Sequence, residues 1–117
     1  MATPLLLSAE IQGSPGSASH ASALAFLTAW LHAGHQVYRV FFYHEAVLEA
    51  ADDQSGWKAL SDQHGFELAV CVGAAERRGV GADPDAGHPV RPPFEVVGLG
   101  QLIDAIDRSD RFITFAP

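Results

Sequence analysis

The chain contains a single cysteine, Cys71, in the stretch Glu-Leu-Ala-Val-Cys-Val-Gly-Ala-Ala-Glu-Arg-Arg-Gly-Val from Glu67 to Val80. Leu68 to Val72 is wholly apolar, as befits a strand buried on both faces of a parallel sheet. Gly73 ends that run. Ala74 to Arg78 are good helix formers, and Gly79 can close a short turn. The thiol is therefore expected where a strand hands over to a helix, the edge of an open α/β sheet where ligands bind. Free N–H groups at a helix start favour a thiolate over a thiol, and the thiolate is the nucleophile. Arg77 and Arg78 add positive charge nearby, and Gly73 lets a reacting group approach the sulfur closely. A free cysteine also serves as a small buried hydrophobe, and the local pattern leaves both readings open.

Other residues could take part. His44 follows the expected second strand at the same sheet edge, where it could move a proton or bond a sulfur anion. Gly13 and Ser14 belong to a loop of small residues, Gln-Gly-Ser-Pro-Gly-Ser-Ala-Ser, that precedes a helix. Such a loop can be a plain connection, shape a pocket beside Cys71, or cradle an anion. It matches neither the Walker pattern nor Gly-x-Gly-x-x-Gly. The remaining histidines are scattered, and Cys-x-x-Cys and His-Glu-x-x-His are both missing, so no metal site and no cofactor are expected. No Ser/His/Asp triad can be picked out by spacing.

The elements that must position these groups follow in order. Pro4 to Ser8 reads as a strand and Ala21 to Ala33 as a helix, which Ser17 or Ser19 could cap. Gln36 to Tyr43 is the strongest strand signal, β-branched and aromatic. These three pieces form a βαβ unit with parallel strands and a right-handed crossover. His44 to Ala51 is one apolar turn, and Trp57 to His64 a second helix stopped by Gly65. After the cysteine strand, Gly79 to Pro93 reads as an irregular loop. Phe94 to Val97 gives a short strand, Leu99 to Arg108 a last helix and Arg111 to Phe115 a final strand. The alternation predicts one three-layer α/β/α domain over residues 1–117, with about five mostly parallel strands and flavodoxin-like architecture.

Composition narrows the function classes. With 48% apolar and 18% charged residues the chain is globular rather than disordered. A formal net charge of −7 argues against direct nucleic-acid binding, which needs a basic stripe. One cysteine fits a reducing compartment. The run Met1 to Ser8 has no basic start and is too short for a secretory signal, and nothing approaches a membrane span, so a cytoplasmic location is expected. Phe41, Phe42, Tyr43, Val47 and Leu48 offer more apolar surface than a small domain readily covers at a loop edge, which predicts an oligomer with part of this segment at its interface.

The chain resembles the DsrE/TusD family of sulfur-relay proteins. The matching pieces are Gly34-His35 with Val37 to Tyr43; Trp57, Leu60 and His64-Gly65; Val70-Cys71-Val72, Ala74-Ala75 and Arg77 to Val80; and Phe94, Gly98 to Leu102, Asp110-Arg111 and Phe115. The resemblance implies that Cys71 accepts sulfane sulfur from a small carrier protein and holds it as a persulfide. It implies a place in 2-thiouridine formation on tRNA or in sulfur oxidation. It also implies assembly with related DsrE-like subunits, in a hetero-hexamer or a homo-oligomer. After Phe-Phe-Tyr the family carries Asp/Glu-Gly-Val, where this chain has Glu45-Ala46-Val47. The segments 44–57 and 81–93 are shorter than is usual in the family.

Three functions therefore compete. A sulfurtransferase subunit needs one reachable thiol and no metal. A small-anion or flavin-binding module would use the Gln12 to Ser19 loop and have no use for Cys71. A non-catalytic assembly subunit would need no cysteine, so Cys71 speaks against it.

Overall fold

The structure is a computed structural model that describes residues 3–117. Met1 and Ala2, the start of the N-terminal run read above for a signal, lie outside the described residues. Five strands form one parallel sheet: β1 (Leu6–Ile11), β2 (Gln36–Phe42), β3 (Glu67–Cys71), β6 (Glu95–Val97) and β7 (Arg111–Phe115), in the order β6-β3-β2-β1-β7. The sheet is parallel throughout, as the alternation of strands and helices predicts.

The helices are α1 (Ala18–His32), α2 (Gly56–His64), α3 (Val72–Glu76) and α4 (Gly100–Arg108), with a 3₁₀ helix over His44–Ala51. From β1 to β6 each connection steps the same way across the sheet, and the last returns past three strands to β7. Right-handed crossovers then place α1 and α2 on one face and α4 on the other. Side-chain partners agree. Arg39 bonds Gln101 and Asp104 of α4, while Phe42 packs on His20 of α1 and Trp57 of α2. Arg39 and Phe42 have opposite parity along β2, so they point to opposite faces.

Local sequence explains most boundaries. Ser17 caps α1, its hydroxyl accepting from His20 N–H at 3.1 Å, which starts the helix at Ala18 rather than at Ala21. Ser19 does not cap; it donates to the Ala116 carbonyl. Ser55 caps α2, and Gly65, at φ 78°, closes that helix in the left-handed region where glycine is unstrained. The first strand lies further along than Pro4 to Ser8. It runs to Ile11 because Glu10 stays at the half-exposed edge, accepting from Gln12 and Thr114, while Ala9 and Ile11 are fully buried.

Two expectations are corrected. The stretch Gly79 to Pro93 contains a small parallel pair, β4 (Val80–Gly81) with β5 (His88–Pro89), and it is tied to the 3₁₀ helix by Arg91 N–H donating to the Ala50 carbonyl at 2.8 Å. Phe41, Phe42 and Val47 are not surplus surface. They are fully buried in the chain's own core, and Tyr43 and Leu48 pack against it. The 3₁₀ helix turns Ala46, Val47 and Ala50 inward, which covers this edge. The exposed apolar surface lies instead on α4, where Leu99, Ile103 and Ile106 are 49%, 67% and 49% exposed. Their spacing of four and three residues puts them on one outer stripe.

Candidate active site around Cys71

All five strands of a parallel sheet end at one edge, so Ile11, Phe42, Cys71, Val97 and Phe115 are placed together there. Cys71 closes β3 and is the N-cap residue of α3, at φ −62° and ψ 122°. It is paired in register with Val97, and Val72 just beyond it is exposed. The thiol thus sits where β3 passes into a helix, with the free N–H groups of the first turn of α3 following directly. Cys71 itself is only 4% exposed. That corrects the expectation of a reachable thiol: in this conformation Cys71 belongs to the buried core, and α3, β6 and the 3₁₀ helix meet at the end of β3. Among the described residues no hydrogen bond reaches the Cys71 sulfur.

Around it, the expected site residues separate. Gly73 lies in the first turn of α3, and a Cβ built there would meet only the Arg77 Nη1, at 3.9 Å. Arg77 is exposed and close to that turn. Arg78 is engaged elsewhere. Its Nε donates to Glu45 at 2.8 Å and its Nη1 to the Ala74 carbonyl at 3.0 Å. Its charge is therefore paired with a carboxylate, not presented free to the sulfur.

His44 starts the 3₁₀ helix with φ 50°, uncommon for a residue with a Cβ. Its ring is exposed and stacks on Tyr43 at 4.4 Å. The structure places it at the cysteine edge without a bond to the sulfur. Gly13 and Ser14 are not brought to Cys71. They follow β1, and β2 stands between β1 and β3. Their polar groups are used within the loop: Ser14 carbonyl accepts from Ser17 N–H at 3.0 Å, and Gly13 carbonyl meets His20 Nδ1 at 2.9 Å. A Cβ on Gly13 would lie 2.8 Å from Ser17 Oγ. These two hydrogen bonds fill the Gly13 and Ser14 carbonyls and use the Ser17 N–H.

Two polar networks escape the sequence. His20, buried, accepts the indole N–H of Trp57 at 2.9 Å through Nε2, and Glu49 Oε1 is 3.6 Å from that nitrogen. Glu49, also buried, accepts from the Ser55 hydroxyl. This network joins α1, the start of α2 and the 3₁₀ helix that packs on α3. A histidine and a glutamate without motif spacing carry no sequence signal; only their burial reveals them.

The second network centres on Arg39, buried in β2. It donates to Asp104 at 2.9 Å, to the Gln101 carbonyl at 2.8 Å and to Glu67 at 3.1 Å. Asp104 also accepts from Arg108 and from the Tyr38 hydroxyl. The Arg108, Tyr38 and Arg39 bonds together hold the Asp104 carboxyl down at about 2. Burial works to lower the Arg39 pKa, but Asp104 and Glu67 outweigh it and the net shift is upward. An arginine within the apolar strand Gln-Val-Tyr-Arg-Val-Phe-Phe was the available signal. A groove of about 360 Å³ runs beside Arg39, Glu67, Glu95 and Val97, and Cys71 does not line it.

Among the described residues no group of three or more His, Cys, Asp or Glu is placed to hold a metal ion, and no helix is long and apolar enough to cross a membrane.

Comparison with known proteins adds an independent line. The chain is 40% identical to sulfurtransferase TusD of Klebsiella pneumoniae subsp. pneumoniae, over 86% of this chain and 91% of the relative. It is 42% identical to sulfurtransferase TusD of Serratia proteamaculans, over 86% and 90%. It is 36% identical to the DsrE protein of Allochromatium vinosum, over 80% and 85%. The crystal structure of the ychN protein from E. coli superposes with a TM-score of 0.74 at 18% identity, covering 97% of this chain and all of that one, a likeness of fold. The model of the DsrE/DsrF-like family matches residues 10–115, and the chain belongs to that family.

Proposed function

We propose that this chain is a sulfurtransferase of an intracellular sulfur relay, with Cys71 as the sulfur-carrying residue. One observation carries the reading. The only cysteine closes β3 as the N-cap of α3, at the edge where all five parallel strands end. The relatives named sulfurtransferase TusD support the reaction class.

The step is a thiol exchange. The Cys71 thiolate attacks the terminal sulfur of a donor persulfide, R–S–SH. The donor S–S bond breaks as the new one forms, giving Cys71–S–SH and the donor thiolate R–S⁻. There is no net oxidation. An acceptor thiolate repeats the exchange and returns Cys71 to its thiolate. A small sulfur-carrier protein is the donor or the acceptor, the cell compartment is the cytoplasm, and the end use is tRNA 2-thiouridine synthesis or sulfur oxidation. Residues 1–117 act as one domain. Related DsrE-like subunits, in a hetero-hexamer or a homo-oligomer, would cover the outer stripe of α4, and light scattering reads whether the chain assembles.

The test is mass spectrometry after incubation with a protein persulfide. Wild-type chain gains ~32 Da on Cys71, the mass of one sulfur, and a thiol acceptor removes it. Cys71→Ser folds, stays unmodified and passes nothing. A serine variant that still transfers sulfur, or a wild-type chain that never gains the adduct, overturns the assignment.

A further inference from the structure

The thiol that must meet another protein's persulfide is 4% exposed, so some part of its surroundings has to move. Three elements meet at the end of β3. β6 is fixed by the parallel ladder that pairs Cys71 with Val97. The 3₁₀ helix is anchored through buried Glu49 to Ser55, and through Ala50 to Arg91. The third is α3, and it differs in kind. It has five residues, too few for a helix to be stable by itself. Gly73 is its second residue, and Gly79, at φ 70°, ends the turn beyond it. Val72 is exposed, and the helix's hold on the core comes from the small side chains of Ala74 and Ala75.

Besides the buried Ala74 and Ala75, one side chain ties α3 to its neighbour. Arg78 Nη1 donates to the Ala74 carbonyl, an α3 acceptor left over at the short helix's C-terminal end, while Arg78 Nε donates to Glu45 on the 3₁₀ helix. Arg78 N–H meets the Ala75 carbonyl at 3.0 Å. One guanidinium thus caps α3 and pins it to the neighbouring element. The Glu45 carboxylate is half-exposed, so the pair is weak and screened by salt.

We propose that Glu45 and Arg78 form a clamp that holds α3 closed over Cys71, and that Arg78 is a positioning residue gating access to the thiol rather than a charge that activates it. The proposal rests on the reading of Cys71 as the exchanging thiol and adds how a partner reaches it. When a partner docks and competes for Glu45 or Arg78, α3 lifts and the sulfur is uncovered.

The two roles of Arg78 make opposite predictions. If thiol access runs through a minor open state, the iodoacetamide rate scales with the population of that state. Glu45→Gln and Arg78→Gln each raise the Cys71 alkylation rate severalfold, with the pH of half-maximal rate unchanged. In unmodified protein, raising salt from 0.05 to ~0.5 M speeds alkylation, because the screening length shortens, and Glu45→Gln removes that response. Urea unfolding midpoints accompany each variant, and the salt response keeps the test valid if a variant fails to fold. Rates equal to wild type in both variants overturn the clamp. So does an Arg78→Gln rate that falls while its half-maximal pH rises, the mark of a guanidinium that stabilises the thiolate directly. Alkylation needs no sulfur donor. A clamp response without a persulfide adduct would therefore sink the sulfur-carrier reading alone, and an adduct without a clamp response would sink the clamp alone.

Discussion

The indole N–H of Trp57 donates to Nε2 of His20, 37 residues earlier, while Nδ1 of the same ring meets the Gly13 carbonyl. An indole N–H only donates and a carbonyl only accepts, so the ring is neutral with its hydrogen on Nδ1. Both partners are needed for this buried ring. Trp57→Phe keeps an aromatic ring but leaves Nε2 without its donor, at a cost of ~1–3 kcal/mol in urea unfolding. In the wild type, ¹⁵N shifts of His20 report an Nδ1–H tautomer. An Nε2–H signal would show that the network is assembled differently.

Gly13 is fixed by space. Its missing Cβ leaves room for Ser17 Oγ, the cap of α1, which an added methyl would approach to 2.8 Å. Gly13→Ala therefore displaces the cap and costs ~0.5–2 kcal/mol, the usual worth of such a bond. In a Ser17→Ala background the same substitution costs less, because the colliding oxygen is gone. A double-mutant cycle measures that coupling; strictly additive effects would mean the loop relaxes around the methyl.

Asp104 makes stability depend on acid. Its folded carboxyl titrates at about 2, below the ordinary 3.8. A group depressed in the folded state contributes stability that is present above its unfolded value and is lost as pH falls through the folded one. The loss attributable to Asp104 therefore spans roughly pH 4 down to 2. Urea midpoints of wild type should fall across this window, and Asp104→Asn should show a shallower fall there while matching the wild-type slope above pH 5.

Gly73 has no steric duty in the isolated chain, since only the Arg77 guanidinium stands near its Cβ position. Gly73→Ala should leave the fold intact and raise stability by ~0.4–1 kcal/mol, as alanine does at a compatible helical position. Sulfur loading is the informative readout. A loss of loading despite higher stability would mean that an incoming partner needs the bare backbone; normal loading would confine the glycine to the turn.

Much of this architecture could be read from residue order alone, for identifiable reasons. Arg-Phe-Ile-Thr-Phe is a strand with no competing helical period, and it appears at residues 111–115 as expected. Gly65 marks the end of α2 through backbone chemistry that acts over two or three residues. What failed to show was whatever depends on distant neighbours. Phe42 looks like surplus until His20, Trp57 and Phe94 are seen to pack on it. Ile103 is apolar yet solvent-facing, because Ala105 and Asp104 take the inner side of α4. At the site, the strand-to-helix placement of Cys71 was legible. The role of Arg78 was not, because its partner Glu45 lies 33 residues away and nothing in the spacing announces it.

The ladder between β1 and β7 joins Leu7 to Arg111 and Ile11 to Phe115, and Leu6 N–H reaches the Asp110 carboxylate at 2.8 Å. Residues about a hundred positions apart are thus hydrogen-bonded neighbours. During synthesis β1 can pair with β2 early, but its other edge stays bare until the ribosome has released Phe115. For that interval an apolar strand with open N–H and C=O groups is available to other nascent chains. A released chain truncated after α4 would therefore display a four-stranded sheet with a sticky rim, and chaperone capture should be strongest for released truncated chains that end between Arg108 and Arg111.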